Sequence, residues 1–173
     1  MSQVLLVDGF NDAYDRVRWK WAGGDTLVGA TAFGDPVSGV TSYSFCIYDT
    51  IGGTPTLALG AAIPGGGTCG TRPCWRTTRT GGFLYLNRAG TPDGIKRMQL
   101  QFTTDRRGAG ILLGGSGYNV RMPVPAQPFA LLNEDPAVTV QLQRTASEAC
   151  WEGTVLYPPA NNTAKKFRDL SLE

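Results

Sequence analysis

The chain has 173 residues, of which 42% are hydrophobic and 17% charged, and its formal net charge is +2. This length suits one domain with a substantial core, and so small a net charge does not by itself indicate a nucleic acid or an anionic membrane as a partner. Histidine is absent, which excludes serine triads, cysteine–histidine dyads and histidine-containing zinc sites, because each of these needs an imidazole.

Alternation of apolar and polar residues with a period of two predicts four half-buried β-strands. They are YDRVRWKWA (14–22), TSYSFCIYD (41–49), IKRMQLQFT (95–103) and AVTVQLQRT (137–145). In the first of them Trp19 and Trp21 alternate with Arg18 and Lys20. This strand is therefore expected to bury its tryptophans and to expose its cations.

Six further segments are weaker strand candidates, separated by turns rich in glycine, proline and aspartate. They are Val4–Val7, Thr56–Ile63, Trp75–Arg79, Phe83–Asn87, Gly110–Gly114 and Ala149–Tyr157. About ten strands at this spacing predict an all-β fold, an antiparallel β-sandwich of Greek-key, immunoglobulin-like or jelly-roll-like type, with residues 1–173 forming a single domain. The proline-rich segment 123–136 is expected to cross between sheets, and residues 161–173 to form an edge strand or a linker.

The four cysteines bear on the compartment of the protein. Cys69 and Cys74 flank a glycine and a proline in CGTRPC, residues that can bend the chain and bring the two Cα atoms within disulfide range. We predict a Cys69–Cys74 disulfide and, by elimination, a second one between Cys46 and Cys150. Zinc is disfavoured because only one pair is closely spaced, and a thioredoxin-like redox site because four residues rather than two separate that pair. The alternative to the disulfides is four buried free thiols in a cytosolic protein.

An even number of cysteines without histidine favours an oxidising compartment. We therefore expect an exported protein, extracellular or at the cell surface, whose leader peptide would lie outside this sequence. Membrane insertion is not expected, because no apolar run approaches the ~20 residues that span a bilayer.

An oxygen-rich segment, DGFNDAYD, is a candidate calcium site. It gathers Asp8, Asn11, Asp12 and Asp15 within eight residues, and carboxylate and amide oxygens are calcium ligands. The spacing departs from the helical calcium loop and lacks its terminal glutamate. The alternative is that these side chains hydrogen-bond the backbone of a turn.

Glu148 and Glu152 were considered as a catalytic pair because we place them on one face of a predicted strand. Four residues of strand span roughly 13 Å, which exceeds the separation of paired carboxylates in glycosidases. A carboxylate-dependent hydrolase would need a partner residue that no pattern indicates. The glycine-rich GAGILLGGSG (108–117) lacks the lysine and the following helix of a phosphate-binding loop, and its glycines suit tight turns or a close approach of another backbone.

The tryptophans could form a platform for sugars, but alternation indicates that they fill the core. The same arrangement argues against single-stranded nucleic acid as a partner, because that ligand needs aromatic and cationic side chains on one exposed surface. The four are Trp19, Trp21, Trp75 and Trp151.

Eight motifs follow one another over nearly the whole chain. They are DGFNDAYDRVRWKW, SYSFCIYD, GGTCGTRPCWRTT, GTPDGIKRMQLQF, GSGYNVRMP, VTVQLQ, ACWE and NNTAKKFRD. Their order resembles an uncharacterised family of bacterial exported domains that occur as repeats in large extracellular proteins. The resemblance is most specific at the Cys-Trp steps (74–75 and 150–151) and the TPDGIK turn. It implies export, disulfides and a β-rich module, and it carries no known activity or functional residue.

These features lead us to expect a non-catalytic extracellular module with a structural or adhesive role, acting through protein–protein contacts or self-assembly in a larger protein or assembly. A carbohydrate-binding module is the first alternative, motivated by the tryptophans and tyrosines. A carboxylate-dependent hydrolase is the second. We expect no catalytic residue, no nucleic-acid partner, and no cofactor other than calcium.

Overall fold

A computed structural model describes residues 1–23, 30–102, 109–133 and 136–171 of the chain. The fold is nearly all β and is built from antiparallel sheets of eight, four and two strands, which confirms the predicted all-β sandwich. The described strands are β1 (Ser2–Val7), β2 (Arg16–Ala22), β3 (Tyr43–Ile51), β4 (Thr54–Ile63), β5 (Thr68–Cys69), β6 (Arg72–Pro73), β7 (Trp75–Thr77), β8 (Phe83–Leu86), β9 (Ile95–Gln101), β10 (Gly110–Ser116), β11 (Ala137–Arg144), β12 (Cys150–Leu156), β13 (Asn161–Thr163) and β14 (Lys166–Ser171).

Two short helical segments complete the described structure, a 3-10 turn at Asp12–Tyr14 and the helix α1 at Ala30–Phe33. Neither of these helices is long and apolar enough to cross a membrane, and the described ranges contain no other candidate span.

The large sheet has the order β13-β14-β1-β2-β10-β9-β8-β7, and the small sheet has the order β12-β11-β3-β4. β5 and β6 form a separate two-stranded hairpin. Within the large sheet β14 pairs with β1, so strands from the two ends of the chain lie side by side. The segment 123–136 leads from β10 in the large sheet to β11 in the small one, as predicted, although residues 134–135 lie outside the described ranges.

One hydrophobic core lies between the two sheets and joins them. Trp19 on β2 contacts Phe45 on β3, with ring centroids 5.7 Å apart, and Trp75 on β7 contacts Tyr43 on β3 at 5.6 Å. Aromatic side chains bury more apolar area than any others, so these contacts contribute strongly to stability. The indole N–H of Trp19 donates to Ser2 Oγ at 2.9 Å, which satisfies its one buried polar group.

Three of the four tryptophans are in the core, in agreement with the expected core packing. Trp19, Trp75 and Trp151 are buried, and Trp151 stacks on Phe33 with ring centroids 4.6 Å apart. Trp21 is only half-buried, and its indole N–H donates to the backbone oxygen of Glu152 at 2.7 Å.

All ten predicted strands are present, and the structure adds the β5–β6 hairpin, β13 and β14. Residues 161–171 form the hairpin β13–β14, in which β13 is the edge strand and β14 lies inside the sheet, while residues 172–173 lie outside the described ranges. The structure thus favours the edge-strand interpretation of this segment over the linker. The apolar–polar alternation of β14 is not recognisable in the sequence because Asp169, a charged residue, occupies an inward position on the same side as Phe167. There it accepts a hydrogen bond from the Ala160 N–H at 3.3 Å.

Candidate functional site on the large sheet

The outer face of the large sheet concentrates cations that the net charge of +2 conceals. β2 turns Val17 and Trp19 into the core, so its alternate residues Arg16, Arg18 and Lys20 are exposed on the other side. We call the outer face of β14, β1, β2, β10 and β9 the basic face. Its seven cations, out of 16 Lys and Arg residues in the chain, are Arg16, Arg18, Lys20, Lys96, Arg97, Lys166 and Arg168.

The strand register aligns three arginines in one row across this face. Arg168 pairs with Leu5, Leu5 with Arg18, Arg18 with Gly114, and Gly114 with Arg97. The arginines thus occupy every second strand, with Cα atoms roughly 9.6 Å apart, since neighbouring strands are separated by about 4.8 Å. A short or aliphatic residue lies between each two of them.

Two parallel grooves run along the basic face. The first groove has a volume of about 630 Å³ and follows β10, between the cations of β2 and those of β9. The second groove has a volume of about 470 Å³ and follows β1, between the cations of β2 and those of β14. Arg18 belongs to both grooves.

The basic face is not neutralised by neighbouring acids. No Asp or Glu of the described residues lines either groove. An ion pair among the described residues joins Lys165 Nζ, just before β14, to Asp8 Oδ2, just after β1, at 2.7 Å. A groove lined by one sign of charge focuses the electrostatic field and attracts ligands of the opposite sign.

The outer face of the small sheet has a different chemistry. Its central strands β11 and β3 present uncharged polar residues there, with Gln141 between Cys46 on one side and Glu152 on the other. Gln141 Nε2 donates to Glu152 Oε2 at 2.6 Å, so that acid is engaged by its own neighbour. The two outer faces therefore differ strongly in charge, and the large sheet is the one suited to an anionic ligand.

Glycines form part of the floor of the first groove. A Cβ placed on Gly114 would meet no atom within 4 Å, which leaves an open strip between Arg18 and Arg97. Gly115 points the other way, and a Cβ there would lie 2.7 Å from the Gly94 oxygen. The close approach of another backbone, expected for this glycine-rich segment, is confirmed at Gly115. At Gly114 no neighbouring atom requires a glycine.

Exposed aromatic residues occur in the loop before β2 and in the turn after β10, beyond one end of the first groove. The rings of Phe10 and Tyr14 contact each other in a tilted arrangement, with centroids 4.5 Å apart, and Tyr118 is 73% exposed. Tyr14 lies two residues before Arg16 and Tyr118 two residues after Ser116, and those two residues are paired across β2 and β10. We call Phe10, Tyr14 and Tyr118 the aromatic end cluster. Tryptophans and tyrosines motivate the carbohydrate alternative in the sequence, but no local pattern indicates that these three residues share one end of the sheet.

In the segment predicted as a candidate calcium site, two of the four side chains, those of Asn11 and Asp15, hydrogen-bond the backbone of a turn. Asn11 Oδ1 accepts a hydrogen bond from the Ala13 N–H at 3.0 Å, and Asp15 Oδ1 accepts one from the Gly9 N–H at 2.9 Å. Asp8 pairs with Lys165, and Asp12 begins the 3-10 turn. Within the described ranges no three Cys, Asp or Glu side chains come together to hold a metal ion. These contacts support the turn interpretation of the segment over a calcium site.

Burial of Asp15 has an electrostatic cost. Loss of water around this carboxyl is the main cause that raises its pKa, and repulsion from Asp8 and Asp12 adds to the effect. The hydrogen bond from Gly9 and the charge of Lys165 act in the opposite direction, without cancelling the rise.

The structure confirms one disulfide and contradicts the other. Cys69 and Cys74 are bonded, with Cα atoms 4.9 Å apart, at the β5–β6 hairpin. Cys46 and Cys150 are free thiols. Their strands β3 and β12 lie on opposite sides of β11, and two strand spacings of about 4.8 Å exceed the reach of a disulfide. Elimination failed because it assumed that every cysteine is paired. Loss of water around the sulfur is the main cause that raises the pKa of both free thiols, the half-buried Cys46 and the more exposed Cys150.

The carboxylate pair considered in the sequence does not form. Glu148 precedes β12, whereas Glu152 lies within it. The prediction that both lie on one strand is therefore wrong. Other described carboxylates accept backbone hydrogen bonds, as Asp93 Oδ2 does from the Ala62 N–H at 2.9 Å and Asp49 Oδ2 from the Asn133 N–H at 2.7 Å. These acids serve the fold and lie away from both grooves.

No protein-family model, no curated protein and no solved structure matches this chain.

Proposed function

We propose that the protein is a non-catalytic extracellular adhesive module that attaches to an anionic partner through the basic face. The observation that carries this proposal is the segregation of charge: seven cations line the two grooves, and no described acid lies among them. Long-range attraction of this kind accelerates the encounter with a polyanion and orients the sandwich on it.

The absence of a catalytic role is part of the proposal. General acid–base catalysis needs a proton donor or acceptor beside the bound ligand, and the grooves offer guanidinium and ammonium groups, amides and one hydroxyl. An extracellular location is supported by the Cys69–Cys74 disulfide, because such bonds persist in oxidising compartments. Because Cys46 and Cys150 are free thiols, the Cys69–Cys74 disulfide is the one bond that supports an extracellular location among the described residues.

The test compares two double charge reversals that change the net charge equally. Arg18→Glu/Lys20→Glu acts on the basic face, whereas Arg72→Glu/Arg79→Glu alters exposed arginines in the β5–β6 hairpin and the turn after β7. Each variant is passed at low and at moderate salt over surfaces bearing polyglutamate, polygalacturonate or uncharged dextran, and its fold is checked by circular dichroism.

We expect the native chain to bind at least one of the two anionic polymers and not dextran, with affinity that falls as salt rises. The basic-face variant should lose this binding, and the control variant should retain it. If both variants lost binding equally, net charge and not the basic face would explain the binding, which would contradict the proposal. Failure of the native chain to bind either anionic polymer at low salt would also contradict it.

A further inference from the structure

We infer that the first groove is a binding site for a single chain of a polyuronate, a linear polysaccharide whose sugars carry carboxylates. This inference rests on the proposed function, since it names the ligand class for the same basic face. The polysaccharide chain lies in the first groove along β10 and extends toward the aromatic end cluster.

The width and the floor of the groove define the size of the ligand. Arg18 and Arg97 face each other across Gly114, with Cα atoms roughly 9.6 Å apart because one strand separates theirs. The bare strip over Gly114 leaves room for one extended polymer chain between the two guanidinium groups. Arginine presents paired N–H donors that match both oxygens of a carboxylate, so each wall of the groove can hold an acidic group of the ligand.

A third cation marks the end of the groove. The register between β9 and β10 shifts at Gly114–Gly115, so that Lys96 is the extra residue of a β-bulge. Its ammonium extends toward the chain just beyond β10, where a Cβ on Gly117 would lie 3.6 Å from Lys96 Nζ. Tyr118 follows directly. The Lys96 ammonium thus lies near the residue that directly precedes the exposed Tyr118.

The combination of cations and aromatics also occurs in proteins that bind single-stranded nucleic acids, but its arrangement here favours a polysaccharide. Nucleic-acid binding surfaces interleave aromatic rings with cations, so that successive bases stack along the groove. Among the described residues that line this groove there is no aromatic side chain, and the exposed rings of the aromatic end cluster lie in the loops beyond one end of it. Between the cations the groove offers the Ser116 hydroxyl and backbone groups, which suit the hydroxyls of sugars.

The decisive variant fills the groove without changing its charge. Gly114→Val adds a side chain into open space on a strand, and valine favours strands, so the fold should be as stable as that of the native chain or more so. Gly60→Val is the matched control, because Gly60 is an exposed glycine on β4 of the other sheet. Thermal unfolding of both variants verifies that they are folded.

Binding is measured by calorimetry with a short oligogalacturonate, a sulfated oligosaccharide of similar length, a neutral malto-oligosaccharide and an oligothymidylate. We expect the oligogalacturonate to bind more tightly than the other three. Gly114→Val should weaken its binding by about tenfold or more, and Tyr118→Ala by a smaller factor, while Gly60→Val should leave it unchanged.

Unchanged binding in Gly114→Val, together with loss in Arg18→Glu/Lys20→Glu, would overturn the groove and leave the adhesive basic face intact. Tighter binding of the sulfated oligosaccharide or of the oligothymidylate would overturn the ligand class. If none of the four bound and no anionic polymer retained the chain, both the inference and the proposed function would fall.

Discussion

Arg18 lies at the centre of the basic face, and its charge should be a cost to the unliganded fold. Arg16 and Lys20 are its neighbours on β2, at roughly 6.8 Å for two residues of antiparallel strand. Arg168 and Arg97 lie in its lateral row on the second strands to either side, at roughly 9.6 Å. Replacing Arg18 by glutamine removes all four repulsions and keeps a polar side chain of moderate length.

The size of this effect follows from Coulomb's law in water with screening by salt. At 0.01 M salt each neighbour along β2 contributes about 0.5 kcal/mol of repulsion and each lateral neighbour about 0.3 kcal/mol. Because long side chains can spread apart, we expect Arg18→Gln to raise the free energy of unfolding by about 1 kcal/mol at this salt concentration. At 1 M salt the gain should fall below about 0.2 kcal/mol.

The free energies of unfolding at the two salt concentrations are measured by urea titration. Urea is chosen because it is uncharged and does not itself screen the charges. Arg72→Gln is the control, since Arg72 is exposed in the β5–β6 hairpin, outside the basic face. Its effect on the free energy of unfolding should not change with salt. If Arg18→Gln were destabilising at low salt, or if its effect were the same at both concentrations, Arg18 would not be repelled as described, and the argument from unbalanced charge would fail.

Three further predictions concern the remaining titratable and sulfur groups. Cys69→Ser/Cys74→Ser should lower the free energy of unfolding in urea by about 2 kcal/mol, because the bond closes a short loop; a loss below about 0.5 kcal/mol would contradict this. Alkylation of the unfolded chain should add two groups without reduction and four after it, since Cys46 and Cys150 are free; no addition without reduction would restore the second disulfide. Burial raises the pKa of Asp15, so its ionised form costs stability as pH rises through that pKa. Asp15→Asn, whose Oδ1 can still accept from the turn backbone, should be at least as stable as the native chain at pH 7, and this advantage should vanish below about pH 3; an advantage that grew on acidification would reverse the sign of the argument.

Much of the fold could be predicted because most strands have one buried face. On β2, β3, β9 and β11 the apolar positions alternate cleanly, so local sequence and final burial agree. On β14 they disagree, since Asp169 takes an inward position and Leu170 is exposed. A buried carboxylate with a backbone partner cannot be recognised from the pattern of apolar residues alone.

The candidate site could be predicted only in part, for a reason of topology. The alternation on β2 indicates that Arg18 is exposed, but nothing local indicates which strands lie beside β2. Its neighbour β10 is some 90 positions away in the chain, and β14 reaches the row only through β1. Pairing between strands so distant in sequence depends on the whole core and not on any short segment. The same limit explains the wrong Cys46–Cys150 pairing, which ignored the intervening β11.

The stability of the fold does not require the basic face to be basic. The outward positions of β2 and β14 make no core contact, and uncharged polar residues fill the corresponding positions on β11 of the other sheet without difficulty. Glutamine or threonine on β2 would satisfy the same strand geometry and remove the repulsion around Arg18. This sequence keeps like charges together although their repulsion lowers stability. It also keeps a glycine at position 114, where packing does not require one. Both features depart from what folding alone favours. Such departures are expected where a surface is adapted to a ligand, and under the proposed function an anionic ligand supplies the missing negative charge.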